Sequence, residues 1–478
     1  MINSCVVIGA GNAGRPVARL LNYQGIDVTI TDRQKYDDFS TRRQGMLDVL
    51  KKEGITLDLG NDNPDISKYD SIFLAPTIPE SAPIRKEVEN NSLTVIDRTY
   101  VSNAVNEIID MPKIGITGSF GKTTTTTMVT NIFQTAGYKV YQCSSMKWNL
   151  VSEAIVDDIV RGEYENCDIA ILELPHGTLG LLGEMDLTIG AITNLHPEHL
   201  CEFDGSMQKY VDRKACILPA SQTLVANVQC GDLLTYKRDD TIYFNFEDHL
   251  EKDLDKYTPT YIGSYKDKYS IKIMKDNPIE DTLDLDTIAY YNYENLTAAI
   301  AISMTYGISL DDIKRGIDKF TGVGGRMEYL GKFNGIDAYY DASYGDQSVR
   351  QALEAIKDEN LIILYGNVDS TTVRDKSESG RVIGDYANMV IASGYVEITD
   401  TLDMNSAIEL LSAIENDDVI KMAVCTMDES AELAIKYAKP GDIIVHLGPG
   451  ASNSYQQVKD KLIKGLEEGS KRYGKNSS

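Results

Sequence analysis

The chain has 478 residues, 42% hydrophobic and 25% charged, with a formal net charge of −25. At about 150 residues per domain this predicts roughly three domains, each able to bury a core. The acidic balance works against generic nucleic-acid binding, which needs a basic footprint, and no run of about 18 uninterrupted apolar residues is present to span a membrane. The 7 cysteines are scattered without C-x-x-C spacing, which fits a reducing compartment. The N-terminus runs directly into an apolar strand with no basic start or signal-like core, so the expected location is cytoplasmic.

The first segment alternates strand and helix. A strand is predicted from Ser4 to Ile8, a helix from Arg15, a strand from Asp27 to Thr31, and further apolar runs at Ser71 to Ala75 and Leu93 to Ile96, which is a parallel α/β pattern. Between the first strand and helix stands G-A-G-N-A-G, with Gly9, Gly11 and Gly14 enclosing Asn12. Asp32 closes the second strand and Arg33 follows. Such glycines allow a tight turn and bring a diphosphate close to a helix N-terminus. NAD and UDP both carry a diphosphate, so both readings stand at this point.

The second segment opens on Ile114 to Thr127, IGITGSFGKTTTTT. An apolar strand runs into a glycine turn, a lysine and a hydroxyl run that starts a helix. Gly118 and Gly121 free backbone N–H groups to face phosphate oxygens, with Ser119 and Thr124 in the same loop. Lys122 supplies a point charge and Thr123 a hydroxyl for Mg²⁺. The widely shared G-x-x-x-x-G-K-[ST] spacing is not met, because position 116 is Ile116. Strands are predicted at Asp168 to Leu174 and Asp186 to Asn194. Glu173, near the end of the first, is placed to reach a metal on the phosphates. Thr193 to Ile217 follows, TNLHPEHLCEFDGSMQKYVDRKACI. His196 and His199 form H-x-x-H, a spacing that does not by itself make a four-ligand zinc site. Asp239 to Asp286 reads as an insertion rich in strand formers, and Leu296, Ala299, Ile300 and Ser303 as the buried face of a helix.

A third alternating segment begins after GVGGRMEYL, Gly322 to Leu330. Its apolar runs are Leu361 to Tyr365, Met389 to Ala392, Val419 to Cys425 and Ile443 to Leu447. A last helix is expected from Ser454 to Glu468, with a frayed polar tail from Gly469 to Ser478.

Taken in order, these motifs resemble the Mur ligase family, ATP-dependent enzymes that build cell-wall peptides one amino acid at a time. The resemblance rests on T-G-x-x-G-K-T-T, with Phe120 where the family usually has asparagine, and on the Thr193 to Ile217 stretch, with Glu198 for aspartate. It rests also on the helix with Asn292 and Asn295, where Tyr291 replaces histidine, and on G-R-x-E at Arg326 to Glu328. It implies an α/β protein of three domains: a Rossmann-like UDP-binding domain of MurD type at 1–108, a central P-loop ATPase domain at 109–323, and a C-terminal Rossmann-like domain at 324–478 that binds the incoming amino acid.

The resemblance also implies roles for single residues. Gly9, Gly11, Asn12, Gly14, Asp32 and Arg33 would hold the UDP-linked substrate, and Gly118, Ser119, Gly121, Lys122, Thr123 and Thr124 the ATP phosphates. Asn227 would read the adenine edge, Arg326 would contact the γ-phosphate, and Asp341 would help hold the nucleotide across the closed interface. Two Mg²⁺ ions are implied, one near Thr123 and Glu173, the other near His199 and a carbamylated Lys214. Lys122, His199, Lys214 and Arg326 would be catalytic, and Ser452, in LGPGASNSY, would touch the amino acid's carboxylate.

The common D-D-Y-A-H-x-P reads Y-D-A-S-Y-G-D-Q here, and the D-N-P-R motif is absent. These departures are shared by archaeal pseudomurein ligases. The expected reaction is amide formation on a UDP-linked wall precursor through an acyl phosphate. Small molecules are the expected partners, and the chain is expected to be a monomer or weak oligomer. Polyglutamylation or amidation of a cofactor, an NAD-dependent dehydrogenase, and a scaffold without turnover remain as alternatives.

Overall fold

The computed structural model describes residues 2–474 apart from 92, 148–149, 232–237, 247–256, 276, 344, 358, 367–375, 397–400 and 449–454. Ser452 therefore lies outside the described residues. The chain is α/β, built on three principal sheets met in sequence order.

The first sheet is five-stranded and parallel. Its order is Thr56–Leu59, Asp27–Asp32, Ser4–Ile8, Ser71–Leu74, Thr94–Val95. The helix Gly14–Tyr23 follows the glycine turn. This is the Rossmann-like arrangement expected, with the turn at the carboxyl end of the central strand, where ligands of such sheets bind.

The second sheet has nine strands. Lys113–Thr117 lies between Leu187–Ile192 and Ile169–Glu173, all three parallel. Every residue of Lys113–Thr117 is buried, as expected for a parallel strand covered on both faces. Ser221–Asn227 extends the sheet, and Ile242–Phe246, Tyr261–Tyr265, Tyr269–Ile273 and Ile279–Leu283 add to that edge, the last two antiparallel. The strand-forming insertion thus continues the central sheet. The helix Tyr291–Tyr306 is buried on more than the expected face, since Ala298, Ala301 and Ile302 are as enclosed as Leu296 and Ile300.

The third sheet has six strands, opened by the antiparallel pair Glu328–Phe333 and Ile336–Asp341 and continued by parallel strands. The last helix runs Tyr455–Tyr473, so Gly469 to Tyr473 is helical where a frayed tail was expected. The cause is helix packing: a Cβ on Gly465 or Gly469 would run into the helix Met427–Tyr437 or the residues beside it. These glycines permit close approach and do not end the helix.

The first two sheets are docked firmly. One buried apolar cluster runs from Cys5 to Cys230. Arg15, itself buried, forks onto Glu153 at 3.0 and 3.2 Å, and Arg19 bridges Glu53 and Asp157. Buried pairs of this kind fix geometry more than they add stability. Their effect is to hold the first glycine turn in a set position relative to the second. All seven cysteines are free thiols. Among the described residues, no helix is long and apolar enough to cross a membrane.

Candidate active site

The carboxyl ends of the central strands converge on one pocket of about 340 Å³. Gly118 follows the strand Lys113–Thr117 at φ +147°, and Gly121 caps the helix Lys122–Thr135 at φ +77°. Neither tolerates a side chain, since a Cβ on Gly118 would meet Thr193 Oγ1 and one on Gly121 would meet Asn295 Oδ1. Gly121→Ala is expected to cost about 1–3 kcal/mol in stability through this strain, and to weaken ATP binding as the loop shifts. Thermal melts with and without ATP check both effects.

Side chains brace the loop from behind. The Phe120 N–H donates to Asn194 Oδ1 at 2.8 Å, and the His196 N–H donates to Ser119 Oγ at 2.8 Å. Ser119 Oγ also lies 2.9 Å from Tyr210 OH. Lys122 Nζ donates to the Ser119 carbonyl at 2.6 Å. The lysine is thus held over the loop it would leave for a phosphate.

Hard oxygen donors gather beside it. Glu173 Oε2 lies 3.0 Å from Thr123 Oγ1, 3.0 Å from Ser145 Oγ and 2.9 Å from the Ser145 N–H. Two hydroxyls and a carboxylate at the phosphate end of the loop fit Mg²⁺, which prefers oxygen ligands and keeps part of its water. Sequence reasoning missed Ser145. The available signal was a serine just past the end of a strand, Val140–Cys143, that pairs with the Glu173 strand.

Lys214 is fully enclosed. Its Nζ donates to the Gly118 carbonyl at 2.9 Å and to Thr117 Oγ1 at 3.2 Å. Burial, reinforced by the nearby Lys122 charge, pushes its pKa well down. Its amine therefore gives up its proton more readily than an ordinary lysine. As it stands, Lys214 braces the phosphate loop.

His199 faces Glu198 through Nε2 at 3.6 Å and Glu202 through Nδ1 at 3.0 Å. His176, missed in the sequence, reaches the other oxygen of Glu202 at 3.0 Å. Burial lowers the His176 pKa, while the two imidazoles hold the Glu202 carboxyl well below its usual range.

From the third sheet, Arg326 and Asp341 reach the same pocket. The Asp341 carboxylate is already engaged, accepting the Met327 N–H at 2.8 Å and the Ser343 N–H at 2.9 Å. Met327 sits at φ +46°. Asp341 thus holds the bent loop that carries Arg326 while lining the pocket itself. Glu328 ties the loop down from the other side through the Gly325 N–H, Tyr455 and Lys459.

A flanking space of about 860 Å³ is walled by Phe120, Phe246 and Tyr290, with Gln229 and Glu294 among its polar groups. Asn227, expected at an adenine edge, stands behind this wall. It is wholly buried, giving its amide to Glu294 Oε1 at 2.7 Å and accepting the Gln229 N–H at 3.1 Å. Its work here is to orient the residues that face the space.

Burial raises the Glu294 pKa from 4.5 to about 7. Between these values the folded protein holds a proton that the unfolded chain has released, so stability falls as pH rises through that window and the contribution is gone above about 7. Glu294→Gln is expected to flatten this dependence, by about 1–2 kcal/mol for a carboxyl at a pocket wall. Melting temperatures at about pH 6 and about pH 8.5, on either side of the raised value, check the sign.

In the first unit, a cavity of about 900 Å³ is lined by Gly9, Asp32, Arg33, Gln34 and Thr77. Asp32 accepts the Ala10 N–H at 2.8 Å and the Gln34 N–H at 2.9 Å. This carboxylate shapes the turn while lining the cavity. Gly14 forms no wall. A Cβ there would strike the Gly9 carbonyl, so it serves helix-on-strand packing. Gly11 and Asn12 instead border a second space of about 1090 Å³, with Thr77 lining both. Arg43, Arg98, Lys209 and Arg213 stand along it, and His176 borders both this channel and the phosphate-loop pocket. Glu202, Asp204 and Asp212 line the same space, with Lys209 paired to Asp204 and Arg98 to Glu184, so its walls carry charge of both signs.

The Mur ligase middle domain family model matches residues 116–303. An "uncharacterized protein" of Methanothermobacter thermautotrophicus is 36% identical over 248 residues, 52% of this chain and 77% of that one. The UDP-N-acetylmuramoylalanine–D-glutamate ligase of Streptococcus mutans is 26% identical over 97% of this chain and 95% of its own. Among solved structures, a pseudomurein peptide ligase type C from Methanothermus fervidus superposes with a TM-score of 0.58 at 23% identity, over 96% of this chain and 100% of that one. That last likeness speaks to fold. With the phosphate loop, the Glu173 cluster and the three-sheet order already in place, these matches lead to one conclusion: the chain belongs to the Mur ligase family of ATP-dependent, amide-forming ligases.

Proposed function

We propose that the chain joins an amino acid to the carboxylate of a UDP-linked cell-wall precursor, with pseudomurein precursors favoured over murein by the motif departures around Glu198 and after Asp341. In this reading, residues 1–108 hold the UDP end, 109–323 the ATP, and 324–478 the incoming amino acid. The observation that carries it is the adjacency of two spaces. One borders Gly11 and Asn12, and Pro175 and His176 line both it and the pocket of Lys122, Glu173 and Arg326.

A carboxylate is a poor electrophile and hydroxide a poor leaving group, so the acceptor must be activated. A carboxylate oxygen attacks the γ-phosphorus, the bond to the β-phosphate oxygen breaks, and ADP departs. The amine nitrogen then attacks the acyl carbon, phosphate leaves with the former carboxylate oxygen, and the amine loses a proton. Lys122 and Arg326 approach the phosphates from two different units and offset the repulsion between carboxylate and triphosphate. Thr123, Ser145 and Glu173 would hold Mg²⁺, which supplies charge neutralisation at the phosphates. Closure of the third unit would press Arg326, which already lines the pocket, onto the phosphates and keep water from the acyl phosphate.

Lys214 has two readings. Its enclosed amine would take up CO₂ to form a carbamate, releasing a proton and creating an anion that serves a second Mg²⁺ with His199. Alternatively it keeps its amine and braces the phosphate loop. Acceptor labelled with ¹⁸O in its carboxylate tests the acyl phosphate directly. One label should appear in the released phosphate, whereas unlabelled phosphate would exclude that route.

A further inference from the structure

We propose that Glu294 selects the nucleobase, reading the Watson–Crick edge of adenine with one carboxyl oxygen as acceptor and the other as donor. The space it faces adjoins the phosphate-loop pocket, with Phe120, Tyr291 and Gln351 lining both. A nucleotide whose phosphates rest on that loop therefore places its base here. The walls suit a planar ring. Phe246 meets Tyr290 edge-on, with centroids 5.5 Å apart at 66°, and Phe120 packs against His196 at 5.7 Å. Aromatic walls hold any base by stacking and do not tell one from another, so selection falls to the polar groups.

Glu294 is held in one orientation. It stands in the first turn of the helix Tyr291–Tyr306, and Asn227, at the end of the strand Ser221–Asn227, gives its amide to Oε1 at 2.7 Å. Asn227 is pinned in turn by the Gln229 N–H at 3.1 Å. Among the described residues no cation pairs with Glu294, and burial favours the neutral acid. The Asn227 amide then marks Oε1 as the carbonyl oxygen, which keeps a second lone pair, and leaves the proton on Oε2. Adenine fits this fixed order, with its N6 amine donating to Oε1 and its N1 accepting from Oε2. Guanine in the same pose sets O6 against the acceptor and N1–H against the donor, a mismatch at both atoms. The role expected of Asn227 thus passes to a neighbour that Asn227 orients. The inference rests on the phosphate loop being a nucleotide site and not on the identity of the wall precursor.

The test is isothermal titration of the full-length protein with ADP and GDP in Mg²⁺ at about pH 6, where the carboxyl keeps its proton. ADP should bind about 50-fold or more tighter than GDP. Glu294→Leu should weaken ADP binding about 10-fold or more and so collapse the preference, and Glu294→Gln, which puts back a donor beside an acceptor, should recover it. Equal binding of the two nucleotides by the unaltered protein, an undiminished preference in folded Glu294→Leu protein, or a Glu294→Gln protein that behaves like Glu294→Leu would overturn the inference. Binding of neither nucleotide would overturn it together with the nucleotide reading of the loop, so the two failures are told apart. Should the variants unfold, 1-deaza-ADP on the unaltered protein decides it, because N1 is replaced by C–H. Binding about 10-fold weaker than that of ADP, with 7-deaza-ADP unaffected, supports the inference, and equal binding of 1-deaza-ADP and ADP refutes it.

Discussion

Lys122→Met is expected to lower the rate of ADP formation by about 10³-fold or more while leaving the fold intact. The ammonium lies at the mouth of the loop, where it donates to the Ser119 carbonyl at 2.6 Å. Losing that hydrogen bond removes little that holds the folded state together. The substitution removes the charge that lies between the glycine turn and the site of phosphoryl transfer. Methionine keeps the length and the apolar stem, so the contrast isolates the charge. Steady-state ADP release and a thermal melt on the same sample check the claim. A fall of less than tenfold in activity would mean that Lys122 is not the phosphate-binding lysine.

Lys214→Ala is expected to lower activity by about 10²-fold or more, and the two readings of this residue differ in their consequences. If the amine carries a carbamate, short carboxylic acids added in excess should restore part of the activity by filling the gap with an anion. If Lys214 instead braces the loop through Gly118 and Thr117, carboxylates should restore nothing and the melting temperature should fall. The depressed pKa of this enclosed amine serves the first reading, because only the uncharged form attacks CO₂. Assays in CO₂-depleted and bicarbonate-supplemented buffer separate the readings without any substitution.

Much of the fold was legible because parallel strands covered on both faces read as apolar runs. Lys113 to Thr117 and Ser4 to Ile8 coincide with the observed strands, and the glycine, lysine and threonine order announced the loop between strand and helix. Local motifs carried Glu173, Lys214 and Arg326 to one pocket. Residues joined only by tertiary structure were out of reach. His176 lies far from His199 in sequence, and nothing around it marks it for the site until the fold places it against Glu202. Arg43, Arg98 and Arg213 come from separate elements and meet only along the channel.

Some motif residues carry a second task. Asp32, Asn227 and Asp341 were expected to touch ligands, and each also makes hydrogen bonds that shape the loop beside the ligand space, Asp32 and Asp341 while lining it. Motif residues at the ends of strands often do the work of shaping, and sequence spacing alone does not separate shaping from contact. Gly469 was read as a helix end for a similar reason. A glycine near a C-terminus resembles a stop signal until a neighbouring helix is seen pressed against it.

The most direct test of the ligase account is mass spectrometry of the products formed from ATP, Mg²⁺, a panel of amino acids, and UDP-linked precursors of both wall types. The account predicts that one precursor gains the mass of a single amino-acid residue, with one ADP released for each bond formed and with pseudomurein precursors preferred. ADP release without any gain in mass on either kind of precursor would contradict it.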